Sequence, residues 1–338
     1  MTNNNNRILK HPAPPVLHDV ESLTSLCKAT ADSLRLLILR ILRTDSLGVL
    51  EMCRIFAIRQ SALSHHLKIL SQGGLVSTRR ESNAIFYRRA LMDTEDPLAK
   101  LKATVFETVD RIRLDPTLSE RLFQIKQERD QQSLDFFTKF ADKFKQNQEL
   151  VADSQHYASA LRDLLHGMHL PTQSRVLEVG PGEGLLLPML AGTYADVIAL
   201  DTSEEMLNRA RATVQGKNIR NVRFVLGDTR TAIEKKLRVR LMVFSMVLHH
   251  ISSPAEILMD SATLLEDEGA VLIVDLCRHN QDWVKASCGD LWLGFEPEEL
   301  TNWALQAGFD SGQSLYLGLR NGFQIQMRLF NKRPSENL

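Results

Sequence analysis

The stretch Arg175-Val-Leu-Glu-Val-Gly-Pro-Gly-Glu-Gly-Leu-Leu-Leu187 constrains the chain more than any other. Val176, Leu177 and Val179 form a short apolar run broken by Glu178, and Gly180, Gly182 and Gly184 follow at alternate positions, the pattern of a buried strand, a tight turn and a helix start. Glycine lets a backbone approach a ligand closely, and the helix beyond offers free N–H groups. The spacing is G-x-G-x-G, whereas the dinucleotide fingerprint is G-x-G-x-x-G. Glu178, two positions before Gly180, would repel a pyrophosphate and attract a cation. A second apolar strand, Asp196-Val-Ile-Ala-Leu-Asp201, ends about one βαβ unit later in a carboxylate that can accept both ribose hydroxyls.

These residues suit a cationic adenosine ligand without phosphate, which S-adenosylmethionine is. On them, the segment from Phe136 to Lys332 resembles class I S-adenosylmethionine-dependent methyltransferases of the ubiquinone/menaquinone type. Glu178-Val-Gly-Pro-Gly-Glu-Gly184 matches that family's first motif, Asp201 its ribose-binding acid and Gly227-Asp228-Thr229 its adenine-edge motif. The resemblance implies an α/β Rossmann-like domain, a mostly parallel seven-stranded sheet closed by an antiparallel C-terminal hairpin, with S-adenosyl-L-methionine as cofactor. It implies that Gly180 and Gly182 pass under the methionine part and that Asp228 accepts from the adenine amino group. Thr202 and Ser245 complete the expected cofactor set. Phe244-Ser-Met-Val-Leu-His-His250 is similar to the family's fourth strand and rim, making His249 and His250 candidate catalytic residues; a hydrogen-bonded rim is their blander reading. No Asn-Pro-Pro-Tyr motif follows that strand, which argues against nucleobase methylation and for a small-molecule acceptor, with carbon or oxygen as nucleophile.

The chain has 338 residues, enough for two or three domains, and an ordinary soluble composition, 43% hydrophobic and 24% charged. No apolar run approaches the ~20 residues of a membrane helix, and the polar opening lacks a signal-peptide core, so a cytoplasmic protein is expected. Cys27, Cys53, Cys277 and Cys288 are scattered and read as free thiols, and no metal site is expected. The net charge is zero, but residues 1–90 carry 13 Lys and Arg against 6 Asp and Glu, a balance of +7 that leaves −7 for the remainder. The basic end points to a polyanionic partner.

Residues 1–18, with four consecutive Asn and three Pro, read as a disordered lead-in. Apolar residues from Leu23 to Ile41 recur at helical spacing across a break at Ala31-Asp32-Ser33, predicting two helices, and Val49 to Phe56 predicts a third. Gln60-Ser-Ala-Leu-Ser-His-His-Leu-Lys-Ile-Leu70 then forms a fourth at helix-turn-helix spacing, with Leu63, Leu67 and Leu70 inward and Gln60, Ser61, Ser64, His65 and Lys68 outward. After Gly73-Gly74, Leu75 to Arg80 and Ala84 to Arg89 alternate as a hairpin rich in arginine. Residues 20–90 resemble the ArsR/SmtB winged-helix repressors, an α+β winged helix-turn-helix domain. The resemblance implies a dimeric reader of a double-stranded DNA operator, with Gln60, Ser61, Ser64 and His65 at base edges or phosphates and Arg79 and Arg80 on the wing holding the backbone. Metal-sensing members carry Cys-x-Cys where this chain has Gly48 and Leu50, so a thiolate site of that kind is not expected.

Residues 19–92 are thus the expected DNA-binding domain, 93–135 a helical linker suited to a homodimer interface, and 136–333 the methyltransferase domain. The aromatic run Phe136, Phe137, Phe140 and Phe144 reads as a lead-in helix covering the cofactor, or as core. The segment from Cys277 to Gly294 is where a substrate would be gripped. Three functions stay open on the sequence: a DNA-binding regulator fused to a working methyltransferase, a regulator whose methyltransferase fold senses S-adenosylmethionine or S-adenosylhomocysteine, and a methyltransferase whose winged helix serves dimerisation alone.

Overall fold

Asp32 separates the first two helices: its carboxylate accepts from the Arg35 N–H, ending the run of α1 (Val20–Thr30) and capping α2 (Ser33–Ile41). The computed structural model describes residues 20–93 and 95–334, excepting the side chains of 141–146 and 154; the lead-in expected over 1–18 and the Phe144 ring lie outside the described residues. A two-residue strand β1 (Leu47–Gly48), absent from the sequence reading, precedes α3 (Val49–Phe56), which ends where Ala57 turns left-handed at φ 54°. The helix α4 (Gln60–Gln72) follows, with Leu63, Leu67 and Leu70 fully buried. The hairpin is β2 (Val76–Glu81) and β3 (Ala84–Arg89), and β1 adds to it in the order β1-β3-β2.

Next come α5 (Ala99–Asp110) and α6 (Pro116–Ala152), whose start is set by Pro116 and by the Asp115 carboxylate accepting from Thr117. The sequence placed a boundary at residue 135, but α6 runs through it, with non-helical angles at Phe140. Its Leu118 and Ile125 pack into the winged-helix core, whereas Val151 and Ala152 belong to the core beneath the large sheet. The kink at Phe140 thus lies between the stretch that enters the winged-helix core and the stretch that enters the core beneath the large sheet.

The second part is built from α7 (Ser154–Gly167), β4 (Arg175–Val179), α8 (Leu187–Thr193), β5 (Asp196–Asp201), α9 (Glu204–Gly216), β6 (Val222–Leu226), α10 (Thr229–Glu234) and β7 (Val239–Ser245). It continues through α11 (Pro254–Leu264), β8 (Leu265–Leu276), α12 (Trp283–Cys288), α13 (Pro297–Gln306), β9 (Phe309–Gly318) and β10 (Gln324–Lys332). The seven strands lie in the order β6-β5-β4-β7-β8-β10-β9; β10 is antiparallel to both neighbours and the first five are parallel. Helices cover both faces, so Val176, Leu177, Val197 to Leu200 and Leu241 to Phe244 are buried and read as continuous apolar runs. β8 starts at Leu265, earlier than the sequence placed it, because the expected Asp267-Glu-Gly269 turn is absorbed into the strand with Glu268 at φ 56°. The strand order reverses beside β4, and in such sheets ligands bind at the carboxyl ends next to that reversal. No helix among the described residues is long and apolar enough to cross a membrane.

Candidate functional site

The carboxyl ends of β4, β5 and β7 open into a cavity of about 960 Å³, within the size range of small-molecule sites. Glu178, Gly180, Gly182, Asp201, Thr202, Gly227, Asp228, Thr229, Ser245 and His250 all line it. Gly180 sits at φ +65°, and a Cβ there would overlap the Val247 side chain, so the turn admits no other residue without strain. Gly184 does not line the cavity: α9 packs against it, with Ala210 Cα 2.9 Å from where a Cβ would stand. Its role is close packing of the turn, a correction to its place among the cofactor contacts.

Two carboxyls form the closed wall. Glu178 is buried with Oε2 lacking a hydrogen-bond partner, and burial, then the charge on Asp201, raises its pKa to about 8. Burial also raises Asp201 to about 6, against the lowering effect of the Ser203 and Thr202 backbone N–H groups. A wall of this kind is completed by a ligand that brings positive charge and hydroxyl donors, and it disfavours a phosphate. At the end of β6, Asp228 Oδ1 accepts from Thr231 N and Oγ1, each at 2.8 Å, capping α10. The Thr229 hydroxyl donates to Asp260 at 2.5 Å, so Thr229 holds the wall together with its side chain already engaged. Ser245 and the buried Tyr157 stand on the same wall. The roof comes from α6, through Phe123, Lys126 and Phe137.

The two histidines differ. His250 reaches the cavity wall, where Phe137 meets it edge-on at 4.9 Å. His249 turns away from the cavity: its Nδ1 lies 2.7 Å from Asp275 Oδ1, and Asp275 also accepts from the Leu248 and Leu276 N–H groups. Burial alone would lower the His249 pKa, but the Asp275 and Asp290 carboxylates outweigh it and lift it to about 9. Burial, then the neighbouring His249 charge, pushes His250 well below the usual imidazole value. Asp290, which sequence reasoning missed, lies 3.9 Å from His249 Nε2 and 3.8 Å from His250 Nδ1. The segment carrying it is anchored where Leu291 and Trp292 N–H groups donate to the His249 carbonyl at 2.9 and 3.1 Å. Nothing in the spacing marked Asp290, because a fold-dependent loop brings it to the histidines.

On the winged helix, Gln60, Ser61, Ser64, His65 and Lys68 are all exposed along one face of α4. The wing departs from expectation. Arg79 is 2% exposed, pairs with Glu81, donates to Glu299 at 3.0 Å and to the Gly294 carbonyl, and packs its guanidinium 5.3 Å from the Trp292 ring centre. It cannot hold a DNA backbone from there. Strand alternation is the reason: Arg79 and Glu81 share the face of β2 that meets the sheet domain, while Arg80 points the other way and is exposed. Arg88 pairs with Glu299 and Arg89 with Asp110, leaving Arg80 as the exposed arginine of the hairpin. Lys126 makes a second link, 3.0 Å from Asp45 of the winged helix and 2.7 Å from Glu256, and both Lys126 and Glu256 line the cavity.

Two family models match this chain: "Bacterial regulatory protein, arsR family" over residues 32–78 and "Methyltransferase domain" over residues 147–313. The transcriptional activator HlyU of Vibrio cholerae is 40% identical over 79 residues, 22% of this chain and 73% of HlyU. The methyltransferase YcgJ of Bacillus subtilis is 25% identical over 134 residues, 39% of this chain and 53% of YcgJ. A ubiquinone biosynthesis O-methyltransferase of Acinetobacter baylyi is 27% identical over 116 residues, 34% of this chain and 49% of that protein. The chain spans about half the length of these methyltransferase relatives. It belongs to the arsR family of bacterial regulatory proteins, with an ArsR-type DNA-binding regulator domain fused to a methyltransferase domain.

Proposed function

We propose that the chain is a cytoplasmic, homodimeric, operator-binding regulator whose second domain binds S-adenosyl-L-methionine and transfers its methyl group to a small molecule. The observation that carries this reading is the cavity wall, where the buried Glu178 and the half-buried Asp201 are carboxyls without a cationic partner at the ends of β4 and β5. Glu178 would face the positive end of the cofactor, Asp201 the ribose hydroxyls and Asp228 the adenine amino group. When bound, the cofactor supplies an already activated methyl group. Positioning then provides most of the acceleration, and a base is needed where the acceptor holds a proton. His250, neutral at pH 7 and on the cavity wall, would take that proton from a hydroxyl acceptor, while His249, pinned by Asp275, sets its surroundings. An O-methyltransferase among the relatives favours oxygen as the nucleophile.

A second reading, in which the cofactor or its demethylated product sets DNA affinity, is favoured by the Lys126 link between Asp45 and the cavity wall. The exposed polar face of α4 disfavours a winged helix kept for dimerisation alone. The deciding experiment measures binding of the full chain to its own promoter DNA at fixed salt, with and without saturating S-adenosylmethionine or S-adenosylhomocysteine. Light scattering on the free and DNA-bound protein reads the dimer. Binding unchanged by either ligand, together with methyl transfer to a hydroxylated acceptor, supports the first reading. A shift of about tenfold, roughly 1.4 kcal/mol of coupling, supports sensing. No binding to promoter DNA would sink both.

A further inference from the structure

We propose that His249, His250 and Asp290 form a binding site for one divalent transition-metal ion, of the zinc, cobalt or nickel class, behind the cavity rim. Sequence spacing gave no metal site, since Asp290 is remote from the histidine pair along the chain. The fold closes that distance: one ligand-capable atom from each of the three buried residues lies within 4.8 Å of the others.

The chemistry of the donor set is specific. Both Asp290 oxygens are buried and lack a hydrogen-bond partner. A proton on His249 balances the charge without satisfying those oxygens, because the imidazole nitrogens stand 3.8 and 3.9 Å away, beyond hydrogen-bond reach. Ligands on such an ion, each about 2.0–2.2 Å from it, stand roughly 3–3.5 Å apart, so small side-chain movements would bring these atoms onto one ion. Asp275 supplies the outer support that metal-binding histidines use. It accepts from His249 Nδ1 at 2.7 Å and is itself held by two backbone N–H groups, which fixes the tautomer that leaves the Nε2 lone pair toward Asp290. Two imidazoles and one carboxylate suit zinc and its neighbours rather than magnesium or calcium, and a three-ligand set leaves a coordination position for an oxygen ligand. The ion would tie the rim turn to the segment 289–296 that meets the wing.

Ligation through His250 Nδ1 would replace that nitrogen's 3.3 Å contact with the Gly289 carbonyl and leave Nε2 protonated, so a metal-loaded site excludes His250 as the base for methyl transfer; the proposal is tested without methyl transfer. Full-length protein is stripped with a chelator, incubated with zinc chloride alone, desalted, and its retained metal measured; cobalt substitution gives a visible spectrum that reports the ligand field. One retained equivalent is expected in the wild type and in His65→Gln, which alters an exposed imidazole. Loss of that equivalent is expected in the near-isosteric Asp290→Asn and in His249→Gln, with helix content by circular dichroism confirming that the variants fold. Wild-type protein that retains no ion, or an equivalent that survives Asp290→Asn, overturns the site.

Discussion

The helix α4 and the wing carry similar sequence signals and end in opposite environments. Both are polar, both belong to the same motif, and both were read as DNA contacts. The structure leaves Gln60, Ser61, Ser64, His65 and Lys68 on α4 in the open, and buries Arg79 and Glu81 of β2 against the sheet domain. A helix displays its polar face away from one buried stripe, so the outward set can be read from its own spacing. A strand in a small sheet has two faces, and its sequence does not say which one a second domain will cover. Two arginines of the wing, Arg79 and Arg88, thus join it to the sheet domain, and the open polar face of this motif is that of α4.

The sharpest way to break that comparison is Arg79→Ala. It leaves Glu81 and Glu299 buried beside fewer cations, so a loss of about 3–5 kcal/mol in denaturant unfolding is expected. The salt dependence of DNA binding should stay as it was. An unchanged stability with a flatter salt slope would instead return Arg79 to the DNA. Gln60→Ala comes next: a base-edge contact is worth about 1–3 kcal/mol, read as weakened binding and relaxed discrimination between operator and mismatched sites.

Carboxyls without a cationic partner should behave differently from the paired charge of the wing, which sharpens the contrast further. Glu178 and Asp201 have pKa values raised to about 8 and about 6, above the ordinary carboxyl range. Their contribution to the stability of the ligand-free protein is therefore fully present below about pH 4 and is lost as pH rises through 6 and then 8. Binding of a cation favours their ionised forms, so S-adenosylmethionine affinity should rise with pH between 6 and 8, by up to about tenfold per proton displaced per pH unit. Titration calorimetry in buffers of different ionisation enthalpy reads both affinity and released protons; a pH-independent affinity with no proton release would remove Glu178 from the ligand. The smallest effect expected is that of Lys68→Ala, a decrease of about 1 in the slope of log affinity against log salt with little change in specificity.

Much of the cavity wall was legible because its residues sit at the ends of local patterns. Gly180 must bend where β4 ends, and Asp201 and Asp228 stand at the carboxyl ends of β5 and β6, so an apolar run followed by a glycine or acid marks them. Gly184 was read with them but serves packing on α9, and Thr229 spends its hydroxyl on Asp260. His249 and His250, adjacent in sequence, were given one role and point to different surroundings, because the short turn at Leu248–His250 rotates successive side chains apart.

What the sequence determined by itself was the order of elements, the outward face of α4 and the glycine–acid frame of the cavity, since each depends on neighbours within one strand, turn or helix. The tertiary structure alone decided which face of β2 is buried, that the stretches of α6 before and after its kink enter different cores, and that Asp290 meets the histidine pair. Those outcomes depend on packing between segments distant in the chain, where hydrophobic burial and charge pairing are settled by which surfaces meet, and no local pattern encodes that choice.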